Sequence, residues 1–213
     1  TTTNIFALAS GEIVYPASAT VVIYDKIMHR QRFFFGHDDD VTCLAVHPNG
    51  SIVASGQVGR RPAVCVWDTT RAGGNPKPAR GNTGSGNMSS AEVTHLGNLM
   101  FHSRGVACMA FSTDGALLVS IGTDDAHNMA VWDWENGVLL AQARAYNTDI
   151  YHVAFSPVSF VGIGTVDDLD DVTYTLITCG KRHIKFWSLH REHPDDRKKT
   201  RMEKDTRDIV KRD

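Results

Sequence analysis

The chain has 213 residues, 22% of them charged and 42% hydrophobic, with a formal net charge of −2 at neutral pH. A chain of this length can bury roughly 70% of the surface its unfolded form exposes. Its balanced charge gives no electrostatic case for nucleic acid or an anionic membrane as a partner. No apolar run approaches the roughly 18 residues that cross a bilayer. The opening TTTNIFALASGEIVYPASATVV lacks the basic stretch and continuous apolar core of a secretory signal. It also lacks an initiator Met, which reads as a processed chain or an excised piece.

Residues 1–36 end in two runs rich in β-branched and aromatic residues, VVIY at 21–24 and RFFF at 32–35, before Gly36-His37. They read as the later strands of a preceding blade. A full repeat follows, with strands expected at 41–47, 51–56 and 63–68. Residues 72–90 contain NPKPARGNTGSGNMSS, a composition that cannot pack a core and reads as a surface insertion. A further strand is expected within 93–101. The next repeat is compact, with strands expected at 106–112, 116–122, 129–134 and 138–144 and turn signals at Asp114-Gly115 and Asn136-Gly137. The last begins at 150–156. A second insertion at 158–173, with Asp167, Asp168, Asp170 and Asp171 at its centre, separates that strand from 174–179 and 183–188. No fourth strand is expected there. Residues 190–213 are dense in both charge signs and read as a charged tail, helical or disordered.

Residues 41–68, 106–133 and 150–188 share one template. They read VTCLAVHPNGSIVASG…VCVWD, VACMAFSTDGALLVSIG…AVWDW and IYHVAFSP…LITCG…IKFWS. Each opens on an apolar strand, turns, runs through a second strand ending in small residues, and closes a third strand on Trp67, Trp132 or Trp187. Internal similarity of this kind is the signature of a β-propeller built from Trp-Asp (WD) repeats. The expected fold is therefore all-β: a partial WD-repeat propeller of about three and a half four-stranded blades, with three repeats in 37–189. Its open blade faces and strand edges call for remaining blades or a partner chain.

In the WD pattern, a His before the first strand, a Ser or Thr on the second, the Trp on the third and an Asp in the intervening turn form a network. It satisfies polar groups inside the blade. His37, Ser55 and Trp67 supply the first set; His102, Ser120 and Trp132 supply the second, with Asp124 or Asp125 as the acid. The third set has Tyr146 at the His position, Thr178 and Trp187 at the others, and Lys181-Arg182 where an acid would stand. His37 followed by Asp38, Asp39 and Asp40 could in principle hold a metal or act as a His/carboxylate pair. His102 stands at the same offset from its repeat without an Asp run, so the shared role is structural. No GxSxG, HExxH, P-loop or GxGxxG motif occurs, and the acidic 167–171 cluster lacks the alternate ligand positions of a calcium loop. No catalytic residue, metal or cofactor is expected, and the chain does not read as an enzyme. Cys43, Cys65, Cys108 and Cys179 show no CxxC or disulfide spacing and read as buried thiols of a reducing compartment.

Several stretches go beyond the generic repeat: GEIVYPASATVVIYD, QRFFFGHDDDVTCLAVHPNG, IVASGQVG, VWDW and TCGKRHIKFW. In this order, over nearly all of 11–189, the chain resembles the echinoderm microtubule-associated protein-like family. Residues 11–25 are similar to the end of that family's hydrophobic motif. The resemblance implies a non-enzymatic scaffold of the cytoplasm and cytoskeleton, its blades contacting tubulin, microtubule-associated proteins or a ciliary axoneme. A generic WD-repeat adaptor unrelated to microtubules is the alternative. Propeller topology puts Arg60, Arg61, Arg104, Lys181 and Arg182 on one rim, and these are the expected partner-binding positions. Asp38–Asp40, Asp124, Asp125 and Asp149 fall on the same rim, so its field is mixed.

Overall fold

The computed structural model describes residues 4–72, 93–96, 101–157, 160–161, 172–190 and 201–204. Runs of β-branched and aromatic residues become strands and fall into four antiparallel sheets that follow one another along the chain. The first is β1 (Phe6–Ala7), β2 (Ile13–Ala17), β3 (Thr20–Asp25) and β4 (Arg30–Phe34), hydrogen-bonded in that order. The second is β5 (Val41–Val46), β6 (Ile52–Gln57), β7 (Val64–Asp68) and β8 (Thr94–Leu96), with a 3-10 turn at Thr69–Arg71 after β7. The third holds β9 (Val106–Phe111), β10 (Leu117–Gly122), β11 (Asn128–Asp133) and β12 (Val138–Arg144). The fourth holds β13 (Ile150–Phe155), β15 (Val172–Gly180), β16 (His183–His190) and β17 (Arg201–Lys204), with β14 (Phe160–Val161) paired to the start of β15.

Each sheet packs on the next, and three apolar clusters fill the gaps. Val14, Val21, Ile23 and Phe34 of the first sheet meet Val53, Cys65 and Trp67 of the second. Ala54, Val64 and Val66 of the second meet Leu118, Ala130 and Trp132 of the third. Val119, Ile121, Met129 and Val131 of the third meet Val153, Leu176, Trp187 and Leu189 of the fourth. Strands caught between two sheets are buried on both faces, and such strands read as continuous apolar runs rather than alternating ones. β10, LLVSIG, is buried at every position. β12, the outermost strand of the same sheet, is mostly exposed or half-buried and exposes Val138 and Leu139.

The expected all-β partial propeller is what the structure shows: residues before Gly36 form a four-stranded sheet, and the about three and a half blades expected appear as four sheets among the described residues. Two expectations are corrected. The fourth sheet has an outer strand: β17 pairs with β16 from Trp187↔Lys204 to His190↔Arg201, within the stretch expected to be a helical or disordered tail. An edge strand is held by backbone hydrogen bonds and needs no apolar run, which is why RMEK gives no strand signal. The insertion expected at 158–173 contributes β14 and the first residues of β15, which pair as a hairpin arm. Most of the insertion expected at 72–90, and the tail outside 201–204, lie outside the described residues.

Trp67 is the largest side chain with almost no exposure, and its indole stacks on Phe34 of the preceding sheet at 4.2 Å between centroids and 5° between planes. Replacing Trp67 with Ala removes the stack and opens a cavity between two sheets. Denaturant unfolding should show a loss of about 3–5 kcal/mol; a change under about 0.5 kcal/mol, the level of an ordinary surface substitution, would place the residue outside the core.

Candidate functional site

Antiparallel pairing brings the loops before each first strand and those between second and third strands to one end, here the upper rim. Backbone hydrogen bonds lace these loops together. Val58 N–H donates to the Asp40 carbonyl at 2.9 Å, Gly59 N–H to that of Arg104 at 3.0 Å, Thr123 N–H to that of Gly105 at 2.9 Å and Lys181 N–H to that of Asp149 at 2.9 Å. The bond from Gly59 to Arg104 crosses from the second sheet to the third, so Arg60, Arg61 and Arg104 stand in adjacent loops.

Beneath the rim lie the polar networks. In the second sheet, Trp67 Nε1–H donates to Ser55 Oγ at 3.1 Å, and Ser55 Oγ lies 2.6 Å from His37 Nε2. His37 Nδ1 meets Gln57 Oε1 at 2.6 Å, and Gln57 Nε2–H donates to Asp38 Oδ1 at 2.5 Å. The amide oxygen only accepts, so Nδ1 carries the proton and Nε2 accepts from the Ser55 hydroxyl. The imidazole is neutral, and burial holds its pKa below the usual histidine range. The sequence motif did not single out Gln57. It stands two residues after Ser55, where the third sheet has Gly122 two residues after Ser120.

The third sheet repeats the core of this arrangement with a different acid. Trp132 Nε1–H donates to Ser120 Oγ at 2.9 Å, and Ser120 Oγ lies 2.8 Å from His102 Nε2. Asp124 Oδ1 accepts from the N–H groups of Ala126 and Asn128 at 3.1 and 3.2 Å. A Cβ on Gly122 would lie 2.6 Å from His102 Nδ1 and 2.7 Å from Asp124 Oδ2, so glycine there leaves the room both groups occupy. Burial pulls the His102 pKa down to about 4, against the opposing pull of Asp124. Asp125 lies outside this network and faces the rim.

In the fourth sheet Trp187 Nε1–H donates to Thr178 Oγ1 at 3.1 Å, and the rest is rebuilt. Tyr146 packs against His183 at 3.9 Å between centroids, the rings tilted by 34°. Lys185, 8% exposed, places Nζ 4.4 Å from the Tyr146 ring centre and donates to the Ala145 carbonyl at 3.0 Å. A buried ammonium over an aromatic face takes the space of the imidazole. The buried cysteines are inert: burial pushes the Cys65 and Cys108 thiols up to about 12 and Cys43 higher still. Among the described residues, no group of three or more His, Cys, Asp or Glu could hold a metal ion, and no helix is long and apolar enough to cross a membrane.

Arg60, Arg61, Arg104, Lys181 and Arg182 are all exposed on the rim. Arg104 forms an ion pair with Asp125 at 2.7 Å, which cancels its charge locally. The third-strand Trp residues point away from this surface into the sheet interfaces. The rim is a set of charged loops on rigid supports, not a cleft with converging chemistry.

Comparison with known proteins agrees with this architecture. The model of the WD domain, G-beta repeat, matches residues 28–68 and 93–133. Rat echinoderm microtubule-associated protein-like 1 is 32% identical over 196 residues, covering 87% of this chain and 20% of that protein. The human echinoderm microtubule-associated protein-like 2 is 33% identical over 188 residues, 87% of this chain and 25% of that protein. The chain thus carries two matches to the WD repeat and is similar to the echinoderm microtubule-associated protein-like proteins. It spans a fifth to a quarter of the length of these relatives. A chain in a crystal structure of the mitotic checkpoint complex superposes with a TM-score of 0.60 at 21% identity, over 86% of this chain and 46% of the other. That likeness shows the propeller fold. Both repeat matches begin near the last strand of one sheet and end on the third strand of the next, so each repeat straddles two sheets.

The depressed histidines link stability to pH. Each titrates lower in the folded chain than in the unfolded one, so the unfolded chain takes up the proton first on acidification. The stabilisation is fully present above the unfolded value of about 6.5 and is lost as pH falls toward the folded value. For His102 the window runs from 6.5 to about 4. Urea unfolding at pH 7 and pH 5 should differ by about 2 kcal/mol from this group alone. His102→Gln should flatten that difference; an unchanged pH dependence would show that His102 is not held neutral.

Proposed function

We propose that this chain is part of a non-enzymatic microtubule-associated scaffold, its upper-rim loops contacting tubulin or a microtubule-bound assembly, the ciliary axoneme included, in the cytoplasm. The observation that carries the reading is similarity across 87% of the chain to proteins whose name states microtubule association. Tubulin's surface is acidic, and the exposed Arg60, Arg61, Lys181 and Arg182 offer it positive charge on laced loops. The carboxylates of Asp38–Asp40 share that rim and temper the attraction. A scaffold without chemistry also accounts for the histidines: His37 and His102 are buried and engaged in holding strands together.

Co-sedimentation with microtubules tests this reading. The chain should pellet at low salt and release as ionic strength rises to physiological, where charges are screened beyond roughly 8 Å. One exposed charge pair is worth about 0–1 kcal/mol, so a single reversal should change little. Reversing Arg60, Arg61, Arg104, Lys181 and Arg182 together should weaken pelleting without lowering the melting temperature. Wild-type chain that stays in the supernatant at low salt overturns the proposal.

A further inference from the structure

The lower rim holds the turns that join third to fourth strands, and three of them share one device. An Asp closes the third strand and its carboxylate caps the turn. Asp25 Oδ1 accepts from Ile27 N–H at 2.9 Å and Met28 N–H at 3.1 Å. Asp68 Oδ1 accepts from Thr70 N–H at 2.8 Å, and Asp133 Oδ1 from Asn136 N–H at 3.1 Å. The first and third of these turns are tight hairpins whose tips can be compared directly, whereas in the second sheet the residues after Asp68 form a 3-10 turn with Thr69 buried. In the third sheet the tip is polar, Glu135-Asn136. In the first sheet the tip is Ile27-Met28, exposed to 82% and 57%. The same Asp-capped hairpin closes on Glu135-Asn136 two sheets along, so the turn itself does not require apolar residues at its tip.

The tip is also rigid and charged around its base. Besides the Asp25 cap, Tyr24 Oη and His29 Nδ1 lie 3.0 Å apart, and His29 holds a left-handed backbone at φ +49°. Asp25 pairs with Arg30 across the ladder, closing the hairpin. Lys26, His29 and Arg30 are exposed beside the two apolar side chains. The two N–H donors of the turn hold the Asp25 carboxyl below the usual carboxylate range, so it is ionised beside Arg30, and Lys26 and Arg30 together leave the tip net positive. A preorganised knob loses little freedom on docking.

We propose that the β3–β4 hairpin tip is a docking knob: Ile27 and Met28 enter an apolar cleft on a protein surface whose carboxylates meet Lys26 and Arg30. Positive flanks around an apolar centre fit an acidic protein surface, with an apolar core and a charged rim as in protein interfaces generally. A bilayer is the poorer match, because even a whole acyl chain anchors a protein only marginally and this wedge is far smaller. The proposal rests on the function inferred above, which places that acidic surface on the microtubule. It adds a second contact on the rim opposite the arginine loops.

The test uses microtubule co-sedimentation of the full chain carrying Ile27→Ser and Met28→Ser, with Ile27→Leu and Met28→Leu as the conservative control. The Ser pair should raise Kd about tenfold or more, the range of a hot-spot loss. The Leu pair should bind like wild type, and neither should lower the melting temperature. Wild-type binding with an unchanged Ser pair overturns the knob alone. No wild-type binding overturns the microtubule reading and the knob with it. Two parallel measurements assign other occupants. Phosphatidylserine vesicles that hold wild type but not the Ser pair, with microtubule binding equal, would make the tip a membrane contact. Concentration-dependent dimerisation abolished in the Ser pair would make it a contact between two copies. Either result overturns the proposal.

Discussion

Everything in this chain depends on sheets covering one another. A four-stranded sheet of about twenty residues has two large apolar faces and cannot bury either alone. Stacking settles the problem one interface at a time, and the tryptophans mark where it is settled. Trp67 lies flat on Phe34 of the sheet before it, and Trp132 meets Phe101 edge-on at 5.5 Å. Because a repeat runs from the outer strand of one sheet into the first three strands of the next, neighbouring sheets share a continuous sequence unit. Losing one sheet therefore uncovers its neighbours, and this couples the blades into a cooperative stack.

The polar networks follow from that burial. A Trp in a sheet interface carries an N–H that must find an acceptor, and a hydroxyl on the neighbouring strand supplies it in all three sheets where it is described: Ser55, Ser120 and Thr178. In the second sheet His37 accepts from that hydroxyl through Nε2, and in the third His102 Nε2 stands 2.8 Å from the Ser120 hydroxyl. What completes the far side of the ring is free to vary. The second sheet uses the Gln57 amide relayed to Asp38. In the third, Gly122 leaves room for Asp124 beside His102 without a hydrogen bond between them. The fourth packs Tyr146 on the buried His183 and places Lys185 over the Tyr146 ring. A carbonyl just before the ring position is contacted in two of them: Gly36 by Cys65 Sγ at 3.7 Å and Ala145 by Lys185 Nζ at 3.0 Å. The constant element is the backbone geometry, and the side chains are alternative ways of serving it.

That pattern explains what was legible in the sequence. Strands buried on both faces need apolar runs, so β5–β7 and β9–β11 stand out in the chain, and β16 is marked by Trp187. The tryptophans and the equal offset of His37 and His102 locate the networks. β1 and β17 are invisible because an outer or very short strand is held by backbone bonding, which any residue except Pro supplies. Gln57 hides because its role passed to a residue two positions earlier on the strand than the acid-bearing turn of the next sheet. Lys185 hides because a lysine in a strand normally signals exposure, and its burial here depends on tertiary partners, the Ala145 carbonyl and the Tyr146 ring, that the local sequence does not encode. For the rim, topology alone places the arginines together, whereas the pairing of Arg104 with Asp125 depends on side-chain directions that no spacing encodes.

The two rims differ in a way that bears on binding. Upper-rim loops are the roofs of the buried networks, so their backbones are held by inter-loop hydrogen bonds and only their outward side chains can change freely. Arg60, Arg61 and Lys181 occupy such outward positions, whereas Gly59 and Gly105 serve the lacing. On the lower rim the β3–β4 and β11–β12 hairpins are each capped by their own Asp, whereas the turn after β7 is tied to Ser51 and to Arg32 of the first sheet. The tips of those two hairpins therefore vary, Ile-Met in one and Glu-Asn in the other, on the same cap. A repeated fold thus separates the residues that hold the stack from those that meet the outside, and departures from the repeat at outward positions carry the information about partners.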